Sequence, residues 1–465
     1  MALPLSRAAL AATGVGAEPA PIRIVHLGLG AFARAHQAWY TARVDDDREW
    51  GIAAFTGRSP AVAEQLWPQD GLYHVVERSA DGDDVRMISS IVEVHDGANV
   101  RRLLELLSAE QTAIVTLTVT EAGYRLLPDG TPDVSDDAVA GDLDVLRHAL
   151  SDPDADVADA APQTTLGRLV LGLSARRRAG AGAIAVVSCD NMPDNGPFVR
   201  TGVIAMAHAV SGVDAAWIEE NVAFVSTSVD RITPRTTDAD IAEVAAQTGW
   251  TDAAPVVTEP FHDWILSGHF PAGRPAWERA GARFVDDIVP FERRKLWLLN
   301  GSHSLMAYAG LARGHLTVAA AIADPTTRRE VIALWDEATG HLPAEVLDLE
   351  RYRCDLLQRF ENARIEHRLE QIAPDATTKL RVRVVPVALA ERDEGRRASA
   401  CALPIGAWIA LVRSGRELSD SRRDAVVSAL TSVDPVRTLL ALLDARLAED
   451  DDFLVEVRAV ARTFE

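Results

Sequence analysis

Residues 21–40 read PIRIVHLGLGAFARAHQAWY, an apolar, β-branched run that ends in closely spaced glycines and continues at helical spacing. Within it, Gly28-Leu29-Gly30-Ala31-Phe32-Ala33 fits G-x-G-x-x-A, a strand-to-helix turn typical of dinucleotide binding. The first glycine permits a tight turn, and the second lets a pyrophosphate approach the backbone at a helix N-terminus. Gly28, Gly30 and Phe32 are therefore candidate cofactor-binding residues. The alternative is a glycine-rich turn in an α/β protein that binds another ligand.

Further strands and helices alternate after this turn. Apolar runs rich in β-branched residues occur at 50–58, 111–120, 182–190 and 221–230. Stretches with helical spacing lie between them, among them VRRLLELLSAE and TLGRLVLGLSARRRAG. Strand alternating with helix predicts an α/β fold with a doubly wound parallel sheet.

The C-terminal part of the chain has a different pattern. After about Phe284 the strand signals largely disappear, and apolar residues recur at three and four positions. We therefore predict a dinucleotide-binding domain at 1–280 and a mainly helical substrate domain at 281–465. Residues 1–20 are expected to form a loose, flexible arm, because their apolar portion is too short and broken for a signal peptide. The Asp- and Pro-rich segment 128–163 predicts surface turns with a short helix.

Charge and composition exclude several classes of function. The 465 residues carry 47 basic against 68 acidic side chains, a formal net charge of −21, which disfavours nucleic-acid and anionic-membrane partners. No apolar stretch approaches the ~20 residues that span a bilayer. Three scattered cysteines suggest neither a disulfide framework nor a CxxC metal site. We expect a soluble, cytoplasmic protein, a monomer or small homo-oligomer, that acts on a small molecule.

The lysine count is the most informative single number. Only Lys295 and Lys379 occur, so 45 of the 47 basic residues are arginine. An arginine is effectively always charged, whereas an ammonium can lose its proton when burial or neighbours depress its pKa. A lysine that survives such a bias is therefore a candidate for chemistry that arginine cannot perform.

Lys295 opens the sequence KLWLLNGSH, which also contains Asn300 and His303. On a straight α-helix at 100° per residue, Asn300 lies about 140° and His303 about 80° from Lys295, so the three share one broad face. A neutral lysine can accept an alcohol proton, an amide can donate to a developing oxyanion, and an imidazole can orient a hydroxyl. The bland alternative is a helix whose polar side chains face solvent.

Polar residues also follow two predicted strands. SCDNMPDNG begins at Ser188 and contains Asn191, and VDRITP places Asp230 and Arg231 at a strand end. Ligands of open α/β sheets bind at the carboxyl ends of strands, although Asp, Asn, Pro and Gly there also suit ordinary turns.

The second predicted strand does not decide which dinucleotide coenzyme binds. It ends FTGRS, without the acid that usually holds the adenine ribose, and Arg58 in this turn could stack on adenine or pair with a 2′-phosphate. Metal catalysis is not expected, because the chain has neither HExxH nor a close His/Cys/Asp cluster. A G-x-S-x-G hydrolase turn is missing as well.

Together these segments resemble the mannitol dehydrogenase family of polyol-specific long-chain dehydrogenases. The likeness runs from about residue 21 to 390 and is most specific in the K-x-x-x-x-N-x-x-H element. It implies a zinc-independent oxidoreductase with a Rossmann-type N-terminal domain, using NAD, with NADP left open. It further implies that Lys295 is the general base, that the amides of Asn191 and Asn300 hold the reacting oxygen, and that His303 orients the substrate. Glu292 matches a glutamate near a proton exit path, and Asp230 and Lys379 match substrate-side residues.

Within the family, HRLEQIA around Gln371 and the sequence NGSHS look closer to fructuronate reductases, the mannonate oxidoreductases, than to mannitol 2-dehydrogenases. The usual D-G-S-x-K is replaced by Asp375-Ala-Thr-Thr-Lys379. The expected substrate is therefore a sugar acid or polyol of the mannonate or mannitol type. The alternatives are a sugar-phosphate dehydrogenase acting on mannitol 1-phosphate and a non-catalytic NAD(P)-binding regulator.

Overall fold

The computed structural model describes residues 2–14, 18–151, 157–416 and 419–465. The chain divides into two compact units, Met1–Ile288 and Val289–Glu465. Parts of the predicted arm (residues 1 and 15–17) and of the predicted turn segment (residues 152–156) lie outside the described residues.

The first unit is built on an eight-stranded sheet. The strands of the unit are β1 (Leu3–Pro4), β2 (Ile22–Leu27), β3 (Gly51–Phe55), β4 (Tyr73–Arg78), β5 (Asp83–Ile88), β6 (Ile91–His95), β7 (Ile114–Leu117), β8 (Ile184–Ser188), β9 (Val222–Asp230), β10 (Trp250–Thr251), β11 (Val256–Thr258), β12 (Asp263–Ser267) and β13 (Arg283–Phe284). The main sheet has the order β13-β12-β9-β8-β7-β2-β3-β6. Its six strands from β9 to β6 pair in parallel in the 3-2-1-4-5-6 order of a Rossmann fold, and β12 joins β9 antiparallel. The predicted doubly wound sheet is confirmed.

Helices cover both faces of this sheet. They are α1 (Arg7–Ala12), α2 (Ala31–Ala35), α3 (Gln37–Val44), α4 (Ala61–Leu66), α5 (Val100–Leu107), α6 (Asp137–Leu150), α7 (Thr165–Ala179), α8 (Asn195–Val210), α9 (Gly212–Asn221) and α10 (Asp238–Thr248). Leucines and valines of α5, α7 and α8 pack on one face of the sheet, and an aromatic cluster with Trp39, Trp264 and Trp277 packs on the other. A parallel sheet covered on both faces explains why its strands read as continuous apolar runs.

The prediction of a loose arm at residues 1–20 is wrong for the described part of that segment. β1 pairs in parallel with β10, and the side chain of Ser6 caps α1 by accepting the N–H of Ala9. The Arg7 guanidinium donates to the carbonyls of Ser89 and Ile91, at 2.9 Å each. Leu5 and Leu10 are buried in a small cluster with Leu72. These contacts bridge distant parts of the chain, so local composition could not reveal them.

Segment 128–163 also differs from its prediction. In place of a short helix it contains α6, which has 14 residues. The carboxylate of Asp136 caps this helix by accepting the N–H groups of Ala138 and Val139. Buried Val139, Leu143 and Leu146 give it an apolar face toward the core, which stabilises a helix that polar composition had obscured.

The second unit consists of helices in its described residues. They are α11 (Val289–Arg294), α12 (Gly301–Leu305), α13 (Val318–Ala323), α14 (Pro325–Thr339), α15 (Leu349–Glu361), α16 (Leu369–Ile372), α17 (Ala376–Arg383), α18 (Val385–Asp393), α19 (Ser399–Arg413), α20 (Arg423–Leu430), α21 (Pro435–Leu443), α22 (Ala445–Glu449) and α23 (Asp451–Thr463). The nearly fully buried α19 is the core helix of this unit. No described helix has the length and apolarity needed to cross a bilayer.

The predicted straight helix around Lys295 is interrupted by two π-helical turns, Lys295–Asn300 and Met306–Gly310, on either side of α12. The N–H of Gly301 donates to the carbonyl of Leu296, five residues back. A π turn places residues five apart above each other, so Lys295 and Asn300 lie closer in angle than an α-helix allows. Trp335 secures the turn, because its indole N–H donates to the Leu298 carbonyl at 3.0 Å.

Candidate active site

The glycine turn of the first unit is shaped for close approach of a ligand to the backbone. Gly28 has φ +103°, and a Cβ there would lie 2.1 Å from the carbonyl oxygen of Thr118. Gly30 begins α2 without a side-chain cap, and a Cβ there would meet nothing closer than 3.8 Å. Only glycine fits the first position, and the missing side chain at the second leaves the helix start open for a pyrophosphate. The half-buried ring of Phe32 stacks on His36, with centroids 5.0 Å apart.

The end of β3 carries the next cofactor candidate. Arg58 lies exposed in the turn after this strand and forms no ion pair within the described residues. Asp45, which precedes the strand, accepts the N–H groups of Glu49 and Trp50 at 2.8 and 3.0 Å. Asp45 therefore orders its own loop, and Arg58 is the charged residue that the β3 turn presents to solvent.

At the end of β8 the structure separates a buried acid from an exposed amide. Asp190 is 5% exposed and accepts the backbone N–H of Val119 and the hydroxyl of Tyr124. Burial raises the pKa of the Asp190 carboxyl to about 7. Asn191 is the exposed residue that follows it. Asp190 thus links the ends of β7 and β8, and Asn191 is the exposed residue directly after it.

Asp230 closes β9 and is buried opposite Asp263 of β12. The neighbouring Arg231 is also buried and donates to the carbonyls of Glu259 and Ala35, at 3.1 and 2.6 Å, and pairs with Glu77. The guanidinium of Arg231 is thereby used within the fold, which assigns it a structural role. Asp230 remains the candidate at this strand end.

The second unit brings together Lys295, Asn300 and His303 on consecutive turns of one helical segment. Lys295 and Asn300 are half-buried, and His303 is buried with 8% exposure. α17 packs against this segment at Gly301, where an added Cβ would make an ordinary 3.4 Å contact with the Arg383 carbonyl oxygen. Glu292 lies half-buried one turn before Lys295, on α11.

His303 is held neutral. Burial lowers the pKa of its imidazole well below the ordinary value, and nearby His367, Arg359, Arg383 and Lys295 lower it further. Its ring meets the His367 ring edge-on at 4.9 Å. His303 Nε2 and His367 Nδ1 are buried without a hydrogen-bond partner among the described residues. A neutral imidazole suits orientation of a hydroxyl rather than exchange of a full charge.

Lys379 is half-buried on α17, and its ammonium donates to the Ile372 carbonyl at 2.9 Å. Burial lowers the pKa of Lys379, and the charge of Arg383 lowers it further. Gln371, the residue on which the comparison of branches depended, is exposed. Arg383, one turn after Lys379, donates to the Asn300 carbonyl at 3.3 Å; the sequence did not single it out, because nothing local distinguishes it from the other arginines.

No group of three or more His, Cys, Asp or Glu side chains is arranged to hold a metal ion in the parts of the chain that the structure describes. The first unit carries a glycine turn shaped for a dinucleotide, and the second carries a lysine, an amide and a neutral imidazole on one helical segment. Such a glycine turn is typical of dinucleotide-binding domains, and side chains of these types can serve acid–base chemistry on a hydroxyl.

Two family models match the chain almost end to end. The model of the mannitol dehydrogenase Rossmann domain matches residues 22–279, and that of the mannitol dehydrogenase C-terminal domain matches residues 287–461. The chain therefore belongs to the mannitol dehydrogenase family, and it is an oxidoreductase. The resemblance inferred from the sequence is confirmed.

Individual relatives agree with this assignment. The chain is 38% identical over 402 residues to D-mannonate oxidoreductase of Escherichia coli (strain K12), covering 83% of this chain and 79% of the relative. It is 35% identical over 378 residues to mannitol 2-dehydrogenase of Pyrenophora tritici-repentis (strain Pt-1C-BFP), covering 78% of this chain and 64% of the relative. Among solved structures, the Pseudomonas fluorescens mannitol 2-dehydrogenase ternary complex with NAD and D-mannitol matches with a TM-score of 0.78 at 31% identity, covering 96% of this chain and 92% of that one.

Proposed function

We propose that this chain is an NAD-dependent dehydrogenase that interconverts a secondary hydroxyl of an open-chain sugar acid or polyol with the ketone. Its similarity to D-mannonate oxidoreductase and to mannitol 2-dehydrogenase supports this substrate class. The observation that carries the proposal is the π-helical turn that aligns Lys295 with Asn300 one turn before His303. This combination supplies a proton acceptor, an oxyanion donor and an orienting group.

NAD is the coenzyme, in keeping with the Rossmann domain and with the NAD held by the Pseudomonas fluorescens relative. The turn at Gly28 and Gly30 fits its pyrophosphate, because added Cβ atoms would fill that cradle or collide with Thr118. Phe32 and Arg58 flank the same edge of the sheet and are proposed to contact the coenzyme. When bound, NAD supplies the hydride acceptor.

Lys295 is the proposed general base. In the oxidative direction its neutral amine accepts the proton of the substrate hydroxyl, and in reduction its ammonium returns a proton to the carbonyl oxygen. Asn191 and Asn300 donate amide N–H groups to that oxygen, which stabilises its developing negative charge. Neutral His303 orients the substrate, since its low pKa keeps it from competing for the proton.

The remaining proposed residues lie outside the proton transfer itself. Glu292 precedes Lys295 by three residues and is proposed to lie near the path by which the proton reaches solvent. Asp230 and Lys379 are proposed to contact the substrate away from the reacting carbon.

The test is a substrate and coenzyme panel followed through the absorbance of reduced nicotinamide. D-mannitol, D-arabinitol, D-mannonate, D-altronate and mannitol 1-phosphate are each offered with NAD and with NADP. We expect turnover of sugar acids or polyols with NAD. A preference for NADP above about tenfold, or ~1.4 kcal/mol, would overturn the NAD assignment and implicate Arg58.

The same panel separates the alternatives. Preferred turnover of mannitol 1-phosphate would assign a sugar-phosphate dehydrogenase. Binding of NAD without turnover of any compound would point to a non-catalytic regulator and contradict the role of Lys295.

A further inference from the structure

Arg383, at the C-terminal end of α17, is a half-buried cation that forms no ion pair among the described residues. Its Nη1 donates to the Asn300 carbonyl at 3.3 Å and to the Ser304 hydroxyl at 3.2 Å. Its Nε is buried without a partner, and no carboxylate of the described residues forms an ion pair with it. Burial lowers the pKa of its guanidinium to about 10. Arg383 thus contacts the helical segment that carries Asn300 and Ser304, and its Nε–H group lacks an acceptor among the described residues.

Two other arginines of this chain illustrate a structural role, buried Arg176 and half-buried Arg313. Arg176 likewise forms no ion pair among the described residues, but its guanidinium donates to five backbone carbonyls, from 2.7 to 3.2 Å. Arg313 instead binds Glu330 through two N–H groups, at 2.6 and 2.5 Å. Arg383 has neither five carbonyl acceptors, as Arg176 has, nor a carboxylate partner among the described residues, as Arg313 has. Buried N–H donors without acceptors cost free energy of folding unless a ligand satisfies them.

Lys379 lies one helical turn before Arg383 and repeats this pattern. Its ammonium has three N–H donors, and its contact in the described structure is the Ile372 carbonyl. It forms no ion pair among the described residues, and the two like charges disfavour each other. The segment opposite them carries His303, whose pKa Arg383 also lowers. Arg383 and Lys379 therefore form a positively charged face without an ion-pair partner among the described residues. This face borders the residues proposed to act on the substrate hydroxyl.

We infer that Arg383, together with Lys379, binds the carboxylate of a sugar-acid substrate and so makes this chain selective for aldonates over alditols. A guanidinium offers a carboxylate two parallel N–H groups, and the neighbouring ammonium adds a point charge. This inference rests on the proposed dehydrogenase function and names its substrate class.

A carboxylate fits this face better than a phosphate does. Asp375 and Asp420 lie close enough to act electrostatically on Lys379, and they repel a dianion more strongly than a monoanion. The start of α17, which could otherwise receive a phosphate, is already taken, because Asp420 accepts the Thr377 N–H at 2.9 Å and its hydroxyl at 2.6 Å.

The experiment compares D-mannonate with D-mannitol, which differ in having a carboxylate or a CH2OH group at one end. kcat and KM are measured for both with NAD in the wild-type protein, Arg383→Met, Arg383→Lys and Lys379→Met. We expect the wild type to prefer D-mannonate. Arg383→Met should lower the mannonate-to-mannitol ratio of kcat/KM at least about tenfold, mainly through KM, because a buried charge pair is lost. Arg383→Lys should restore part of the ratio.

Arg381→Met is the matched control, since Arg381 is exposed on the same helix and should leave both substrates unaffected. Equal losses for both substrates in Arg383→Met would assign Arg383 a structural role and overturn the inference. A wild-type preference for mannitol would overturn it too while leaving the proposed function intact, and a preference for mannitol 1-phosphate would replace the carboxylate with a phosphate. If Arg383→Met does not fold, Lys379→Met and Arg383→Lys decide the question by the same ratio.

Discussion

An ammonium can give up its proton and a guanidinium cannot, and this difference sets Lys295 apart in an arginine-rich chain. Lys295→Arg should therefore lower the rate of alcohol oxidation by at least about a hundredfold, because positioned acid–base catalysis contributes ~10²–10⁴-fold. Coenzyme affinity, measured by NADH fluorescence titration, should change little. Lys295→Ala should lose a similar factor and recover partly when a small primary amine is added.

The control for this substitution is Arg381→Lys on the exposed face of α17, which should be nearly silent. If Lys295→Arg kept more than about a tenth of the wild-type rate with an unmoved pH–rate profile, the base would lie elsewhere. His303 would then be examined next, although its low pKa makes it a weak base.

The sequence could single out Lys295 but not Arg383, and the reason is the same compositional bias. One of two lysines stands out, whereas one of 45 arginines does not. What distinguishes Arg383 is the set of neighbours that α17 and the Asn300 turn bring to it, with no carboxylate among the described ones. Such a property depends on tertiary contacts and has no local signature.

At the scale of elements, Asp190 is the link between two neighbouring strand ends. Its carboxylate accepts the N–H of Val119, just after β7, and the hydroxyl of Tyr124. Because burial raises the pKa of this carboxyl from 3.8 to about 7, the folded state favours the protonated form. The stability it contributes is full below about pH 4 and is lost as the pH rises to about 7, at up to ~1.4 kcal/mol per pKa unit.

Asp190→Asn should remove this pH-dependent loss of folding stability, because the asparagine amide stays neutral at every pH. The Tm of the variant minus that of the wild type should therefore rise between pH 5 and pH 8 in thermal unfolding. Asp194→Asn, an exposed change in the same turn, should give a difference that is flat with pH. A flat difference for Asp190→Asn would mean that Asp190 is ionised throughout this range in the folded protein.

Helical periodicity predicted the segment around Lys295 correctly as helix but not its π turns. Periodicity reports which residues are apolar, and Leu296, Leu298 and Leu299 are compatible with either winding. The wider turn is stabilised from outside, by the Trp335 N–H on the Leu298 carbonyl and on the Ser302 hydroxyl. A partner 37 residues away along the chain decides the local geometry.

For the whole molecule, the sequence predicted the fold class because both parts of the chain carry strong local patterns. Buried parallel strands are apolar throughout, and the glycine turn identifies the first strand–helix unit. The pairing of β1 with β10 was missed, because two-residue strands some 250 positions apart have no pattern to detect.

Buried histidines make the first unit sensitive to acid. Burial lowers the pKa of His26, which bonds the Thr116 hydroxyl at 2.8 Å, from 6.5 to about 4, and that of His36 to about 3. Below pH 6.5 the unfolded chain binds protons that the folded chain does not, so stability falls as the pH drops toward 4. Each histidine contributes at most ~1.4 kcal/mol per pKa unit.

The measurement is calorimetric unfolding between pH 6.5 and pH 5, a window in which ordinary carboxylates stay ionised while unfolded histidine is taking up its proton. It is made in the Asp190→Asn background, because the Asp190 carboxyl contributes the opposite slope over the same window. We expect Tm to fall over this window, and His26→Gln, which cannot take up a proton, to reduce the fall. His208→Gln, at an exposed position, should leave the fall in Tm unchanged. An equal Tm at pH 6.5 and pH 5 would show that the buried imidazoles gain protons without unfolding, and that the interior around the glycine turn admits charge.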